Sequence, residues 1–323
     1  MNYLVTGGGG FIGSNMAEAL IKTGQKVRIL DNFLTGKRSN LAFASPGEIE
    51  VIEGDIRDTA VCRKAADGMD YVIHLAALGS VPRSVLDPIL ANGINITGTL
   101  NVLIAARDAG VKRFVFASSS SVYGDRLEDK ALGETDRPTP KVETMQPDPL
   151  SPYAVGKLVG EFYCRIFYTL YGFETVALRY FNVFGKRQDP ESEYAAVIPL
   201  FIKCLLEDRR PTIYGDGRQS RDFTFVSDVV KANLLACTAP GEALGKVFNV
   251  ACNRNFTLLQ LFEELKQILG KNIEPIFAEP RKGDIRHSMA DISSARKILG
   301  FEPEVSFEKG LEETVAWFRT NNR

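Results

Sequence analysis

Tyr153 and Lys157 lie four residues apart in Ser151-Pro152-Tyr153-Ala154-Val155-Gly156-Lys157. At that spacing a helix presents both side chains on one face. An ammonium beside a phenol favours the phenolate, so the pair reads as a candidate general base. An ordinary tyrosine titrates near ~10, and a base working at neutrality needs roughly 4 kcal/mol of differential stabilisation. A buried lysine, a nearby cationic cofactor ring and a hydroxyl hydrogen bond are together of the right size to supply it. The plainer reading is a surface pair on a helix opened by a Ser N-cap and a Pro in its first turn. Tyrosine and lysine often meet at this spacing by chance, so the pair needs support from the rest of the chain.

That support begins at the N-terminus. A short apolar strand, Tyr3 to Thr6, leads into Gly7-Gly8-Gly9-Gly10-Phe11-Ile12-Gly13 and an amphipathic run from Phe11 to Ile21. Gly7, Gly10 and Gly13 serve, in turn, a tight turn, close backbone approach to a pyrophosphate, and close packing of helix on strand. The helix then aims its first N–H groups and positive dipole end at the phosphates. A second strand, Lys26 to Leu30, ends at Asp31, whose carboxylate suits two ribose hydroxyls and repels a 2′-phosphate. Strand, glycine loop, helix and acid together point to a dinucleotide, with NAD favoured over NADP despite Lys37 and Arg38 nearby. After the third strand, Asp55 either meets the adenine, with Ile56 packing on the ring, or caps the helix from Thr59 to Ala66. The fourth strand, Tyr71 to His74, runs into Leu75-Ala76-Ala77, small enough for a cofactor to lie against the backbone.

At 323 residues the chain can bury a large core as one bilobed unit or two domains. A formal charge of −1 gives no electrostatic case for nucleic acid or an anionic membrane. No apolar run is expected to span a membrane, and the first strand, begun by Tyr3, leaves no room for a signal peptide. Five scattered cysteines without a C-x-x-C spacing read as buried thiols in a reducing cytoplasm. With only His74 and His287 present, a multi-histidine metal site is excluded and no metal is expected. Acid–base work then falls to Tyr, Lys, Asp, Glu or Ser, and His74, ending a buried strand, reads as structural.

These residues need a frame. Strand patterns near 2–6, 26–30, 49–53, 70–74, 112–117 and 174–180 alternate with helical ones, notably Asp87 to Ala109 and Tyr153 to Tyr171. Such alternation predicts an α/β doubly wound parallel (Rossmann) sheet. The proline-rich stretch from Gly124 to Leu150 reads as a long structureless loop, either a lid or partner contact or a plain surface insertion. Beyond Tyr180, helices near 194–207, 257–269 and 307–321 mingle with short strands at 211–214 and 274–277, predicting a smaller mixed α/β lobe. A helix from Ser227 to Cys237 and a strand from Val247 to Val250 return to the first lobe. The expected domains interleave: 1–180 plus about 225–250 for the cofactor, and 181–224 plus 251–323 for the substrate.

Taken jointly, these motifs resemble the extended short-chain dehydrogenase/reductases, and among them the UDP-hexose 4-epimerases. The match adds Ser118-Ser119-Ser120-Ser121-Val122-Tyr123-Gly124, Leu178-Arg179-Tyr180-Phe181-Asn182-Val183-Phe184-Gly185 and Arg221-Asp222-Phe223, and spans nearly the whole chain. Ala77-Leu78-Gly79-Ser80-Val81-Pro82-Arg83-Ser84 and Gly283-Asp284-Ile285-Arg286-His287-Ser288-Met289-Ala290-Asp291 are most similar to the UDP-N-acetylglucosamine 4-epimerase subgroup. Sister 4,6-dehydratases carry Asp-Glu where this chain has Ser120 and Ser121, and related decarboxylases carry Glu in place of Ser121. Elimination of water across C5–C6 therefore lacks its acid and base.

The resemblance implies a catalytic set of Ser119, Tyr153 and Lys157. Tyr153 takes the sugar 4-hydroxyl proton while hydride passes to NAD, a 4-keto sugar turns over, and both return to its other face. Carried over position by position, it puts Gly7, Gly10, Phe11, Ile12, Gly13, Asp31, Asn32, Asp55, Ile56, Ala76, Ala77, Tyr153, Lys157 and Tyr180 at the cofactor. Asn182, Arg221 and Arg281 fall near the diphosphate, where the guanidinium fork suits phosphate oxygens. Ala196, Val197, Thr212 and Tyr214 fall near the uridine. Gly79, Ser80, Arg83, Ser84, Ser119, Ser120, Ser121, Asp284 and Ser288 fall at or near the hexose. For Arg221-Asp222 the plain alternative is a surface ion pair. Epimerases restricted to non-acetylated hexoses have a bulky Tyr where this chain has Ser288, so an N-acetyl group has room here. Arg83 and Ser84 also suit a carboxylate, leaving a UDP-uronic acid 4-epimerase as the neighbouring reading and a silent NAD-bound regulator as the distant one. Relatives pair the Tyr-bearing helix and the long helix before it into a homodimer, and Val159, Phe162, Ile166 and Leu170 have apolar spacing for that or for the core.

Overall fold

The computed structural model describes residues 1–124, 139–191, 196–280 and 286–321. Seven parallel strands form the main sheet: β1 (Asn2–Thr6), β2 (Lys26–Asp31), β3 (Ile49–Glu53), β4 (Tyr71–His74), β5 (Arg113–Ser119), β6 (Thr175–Tyr180) and β7 (Val247–Val250). Their order is β7-β6-β5-β4-β1-β2-β3, so the chain reverses its direction of travel between β1 and β4. At such a switch point the loops leaving two neighbouring strands diverge and open a crevice at the carboxyl ends.

Helices cover both faces. α1 (Phe11–Lys22) packs on one face, and α2 (Thr59–Ala66) on the other. A short α3 (Val81–Leu86) precedes α4 (Pro88–Asp108), whose middle, Gly93–Gly98, is wound as a π-helix. α5 (Pro152–Tyr171) carries Tyr153 and Lys157. Ser151 caps it by accepting from the Ala154 N–H, Pro152 sits in its first turn, and Gly172 at φ +63° ends it. The cap and proline foreseen as a bland alternative are thus real, and they fix where the Tyr153 turn begins.

α6 (Val197–Leu206), α8 (Leu258–Leu269) and α9 (Phe307–Asn321) enclose a third, Phe-rich core in the smaller lobe, while α7 (Val226–Cys237) packs on the main sheet against α1. β7 pairs with β6, so both segments expected to return to the first lobe do so. The lobe's short strands are Thr212–Tyr214 paired with Ile276–Ala278, and Ser220–Arg221 flanked by Phe256–Thr257 and His287–Ser288.

Two expectations need correction. α4 is 21 residues long with mean hydropathy 1.5, long and apolar enough to cross a membrane, although no such run was expected. Half of that window is buried inside the fold, and its amides are engaged: Asn95 accepts from Leu78 N, and Asn101 donates to Ile56 O and Arg57 O. The stretch 124–150 is also not structureless throughout. Residues 125–138 lie outside the described residues, but Lys141 bridges Ala290, with its N–H on Met289 O (2.8 Å) and its carbonyl taking Asp291 N (2.9 Å). Polar loop composition concealed that pairing, because its partner lies almost 150 residues away.

Candidate active site

The glycine loop is shaped by lack of room. Gly7 has φ +71°, and a Cβ there would sit 2.7 Å from Ala76 N; one on Gly13 would sit 2.1 Å from Gly7 O. Neither position admits a side chain, so strand, turn and helix approach to backbone contact. Beyond them Asp31, buried, accepts from Gly9 N (2.8 Å) and Phe33 N (2.7 Å). Burial raises its pKa, and those two N–H groups pull it back. Its carboxylate is therefore held in one orientation at the end of β2.

A cavity of about 290 Å³ runs from this loop to the Tyr153 helix. Gly7, Gly10, Phe11, Ile12, Gly13, Asp31, Asn32, Asp55, Ile56, Ala76, Ala77, Tyr153, Lys157 and Tyr180 all line it, as do Gly79 and, unforeseen, Thr35 and Gly36. Asp55 does not cap α2; Asp58 does, accepting from Ala60 N and Val61 N. Asp55 instead takes Arg57 at 2.7 Å and Asn32 Nδ2 at 2.8 Å, and the Arg57 hydrogen bonds hold its pKa down at about 2. The residues present fit a dinucleotide: backbone packed too tightly for side chains at one end, an oriented carboxylate, and a small-residue floor.

At the far end, Lys157 is 4% exposed and its ammonium donates to Ala117 O at 2.7 Å, with Nζ 5.8 Å from the Tyr153 ring centroid. Burial lowers its pKa to about 8. Ser119, at the end of β5, hydrogen-bonds the Tyr153 side chain, and its Oγ also accepts from Ser121 N at 3.1 Å. The phenol is not lowered by its protein neighbours as the spacing suggested. Burial raises its pKa, and the hydrogen bond with Ser119 opposes that. His74 is fully buried, bonded to Thr6 (2.7 Å) and Thr99 (3.0 Å), and burial lowers its pKa to about 3, so it is a neutral strut. Among the described residues no cluster suited to a metal ion occurs.

Two further cavities adjoin. One, of about 320 Å³, is lined by Asn182, Ala196, Val197, Thr212, Tyr214 and Arg221, together with Gln188 and Gln219, which carried no sequence signal. The other, of about 230 Å³, is lined by Ser120, Ser121, Asn182, Arg221 and Ser288, and by Lys141, Tyr123 and His287. Asn182 and Arg221 line both, so the cavities meet there. Ser121 Oγ and Gln188 Oε1 are buried without a hydrogen-bond partner, polar atoms well placed for a ligand rich in hydroxyl and amide groups.

Some expected residues fall elsewhere. Ser84 is fully buried and turned away from these cavities: its hydroxyl donates to Val81 O (2.7 Å) and accepts from Tyr153 N (3.1 Å), so it braces the start of α5. Ser80 caps α3, and Arg83, half-buried, lines none of the three cavities. Arg281 and Asp284 lie outside the described residues. Arg221-Asp222 is not a surface ion pair, because Asp222 is fully buried and accepts from Cys252 N (2.9 Å) and Ala290 N (3.3 Å). Lys141 was missed because it belongs to the loop whose offsets carry no geometry.

Known proteins match this arrangement throughout. Residues 3–251 match the model of the NAD dependent epimerase/dehydratase family. A putative UDP-glucose 4-epimerase of Methanocaldococcus jannaschii is 39% identical over 322 residues, covering 99% of each chain. The solved structure of a UDP-N-acetylglucosamine 4-epimerase from Methanobrevibacter ruminantium, in complex with UDP-N-acetylmuramic acid, aligns with TM-score 0.91 and 43% identity over 99% of this chain and 98% of that one. A Thermus thermophilus UDP-glucose 4-epimerase in complex with NAD aligns with TM-score 0.87 and 36% identity over 99% and 100%. The chain belongs to the NAD-dependent epimerase/dehydratase family, as an extended short-chain dehydrogenase/reductase of the UDP-sugar 4-epimerase type with NAD as its cofactor.

Proposed function

We propose that this enzyme inverts C4 of UDP-hexoses and accepts the N-acetylated pair, UDP-GlcNAc and UDP-GalNAc, as well as UDP-Glc and UDP-Gal. The observation that carries this reading is Ser288. It pairs in register with Arg221 and lines the cavity that holds Ser120 and Ser121, giving that wall a small hydroxyl side chain where an aromatic ring would fill it. In this reading the uridine occupies the cavity of Ala196, Val197, Thr212 and Tyr214, and the diphosphate lies where Asn182 and Arg221 join the two cavities.

NAD, when bound, supplies a reversible hydride acceptor for sugar C4. Asp31 and the glycine loop would hold its adenosine and pyrophosphate end, and Lys157 would hold the nicotinamide ribose. Tyr153 removes the 4-hydroxyl proton and returns it after the sugar has presented its other face, with Ser119 bonded to the same oxygen. Proton and hydride both come back, so no net redox change occurs. Bound NAD would carry a positive charge into this site, which would favour the phenolate of Tyr153.

The uronic acid reading loses one of its two residues, since the Ser84 hydroxyl is spent on Val81 O and Tyr153 N. A homodimer through the outer face of α5 is supported by its exposed apolar side chains: Phe162, Ile166 and Leu170 are 44%, 40% and 69% exposed, and Val85, Leu86 and Ile89 are exposed on the neighbouring α3 and start of α4. Five free thiols suit a reducing, cytoplasmic setting. Incubation with a panel of UDP-hexoses and chromatographic separation of epimers tests the reading. Conversion of UDP-GlcNAc to UDP-GalNAc supports it; conversion of non-acetylated sugars alone, or of none, overturns it.

A further inference from the structure

We propose that the buried Glu161–Arg179 pair, acting through Ser118, is a positioning device that aims the Ala117 carbonyl and the Ser119 hydroxyl at Lys157 and Tyr153. This rests on the epimerase reading above for its kinetic part only. Glu161 sits one turn beyond Lys157 on α5, and Arg179 lies on β6. Their side chains are 3% and 4% exposed, and they are joined by two hydrogen bonds of 2.8 and 2.7 Å. Taking two charges out of water is costly, and apolar side chains of similar volume often serve a core as well or better. What an ion pair has, and a hydrophobic pair lacks, is direction.

The direction is toward β5. Ser118 pairs in register with Arg179, and its hydroxyl donates to Glu161 Oε1. The Ser118 side chain is drawn to Glu161, and Ser119, the next residue at the end of β5, meets the Tyr153 phenol. The peptide just before Ser118 carries Ala117 O, the acceptor of the Lys157 ammonium at 2.7 Å. One hydroxyl thus sits between the two contacts that set the candidate catalytic geometry. On its far side the pair is also held, since the Arg179 guanidinium lies 4.6 Å from the centre of the Tyr123 ring. Tyr123 in turn donates to Asn249 Oδ1 at 2.7 Å.

The test is Ser118→Ala in the full chain loaded with NAD, beside a Glu161→Met/Arg179→Met double variant that removes the pair without stranding a charge. Both should keep their thermal midpoints near the parent's. Both should lose about ten- to a hundredfold in kcat, with KM for the UDP-hexose within about twofold, as expected of misplacement rather than lost binding. A crystal structure of Ser118→Ala should show the Lys157–Ala117 contact lengthened or broken. Parental kcat in a folded Ser118→Ala, or an unmoved Lys157–Ala117 contact, overturns the proposal. So does a loss of rate no larger than the loss of folded protein. If the parent turns over no UDP-hexose, the epimerase reading falls, while the crystallographic contact still decides the positioning claim.

Discussion

Tyr153 lies in surroundings that on balance oppose its ionisation: burial raises the phenol's pKa, and the Ser119 hydrogen bond offsets only part of that. In the proposed reaction the positive charge of bound NAD would favour the phenolate. Tyr153→Phe keeps the ring and removes the acceptor. Turnover should fall on the order of 10²–10⁴, with UDP-sugar and NAD binding nearly unchanged by calorimetry; retention of half the activity would assign the proton transfer elsewhere. Ser288 should govern substrate size. Ser288→Tyr puts a ring into the cavity shared with Ser120 and Ser121, at a stability cost of ~1–3 kcal/mol. The variant should lose the acetylated pair and keep measurable UDP-Glc/UDP-Gal conversion in the same chromatographic assay. Equal loss of both pairs in folded protein would remove Ser288 from the selection.

At the scale of elements, α1 does more than present its N-terminus to a pyrophosphate. Glu18, on its outer turn, pairs with Lys22 (2.7 Å) on the same helix and with Lys186 (2.7 Å) and Arg187, which follow the strand pairing Val183–Phe184 with Thr224–Phe225. The nucleotide helix is thereby tied to the segment that leads into the smaller lobe. Burial works against Glu18, but hydrogen bonds from Lys186, Lys22 and Arg187 hold its pKa at about 2. A carboxylate lowered on folding stabilises the protein above its unfolded pKa, and that stabilisation drains away as the pH falls from ~4.5 toward ~2. Glu18→Gln should therefore cost about 1–2 kcal/mol at neutral pH, after allowance for solvent screening of the exposed lysines, and flatten the stability profile within that acid window. Urea unfolding at pH 7, 4 and 3 reads both; parallel profiles for parent and variant would contradict the linkage.

For the whole molecule, the unpartnered apolar face runs along α5 from Val155 to Leu170 and onto α3 and the start of α4. The other face of α5 is spent on the core, where Ala154, Cys164 and Phe167 are buried, so the helix that carries Tyr153 would be clamped from both sides in a dimer. Phe162→Glu/Ile166→Glu should convert the protein to monomer in sedimentation velocity, with kcat falling as the start of α5 loosens. A double variant that sediments like the parent would place the dimer contact elsewhere.

The sequence alone determined whatever is local or periodic. The glycine spacing before α1, the acid ending β2, the cap and proline opening α5, and the strand–helix alternation each follow from steric or hydrogen-bonding demands within a few residues. Those demands are met in the chain itself, so composition and spacing expose them. Contacts between distant segments were decided only by the tertiary structure. It turned Ser84 from the expected sugar pocket to the N-terminus of α5 and brought Lys141 beside Ser288. It also exposed Phe162, Ile166 and Leu170, whose spacing suits a core and an interface equally. Side-chain direction depends on which neighbour arrives across space, and residue type and spacing carry no record of that neighbour.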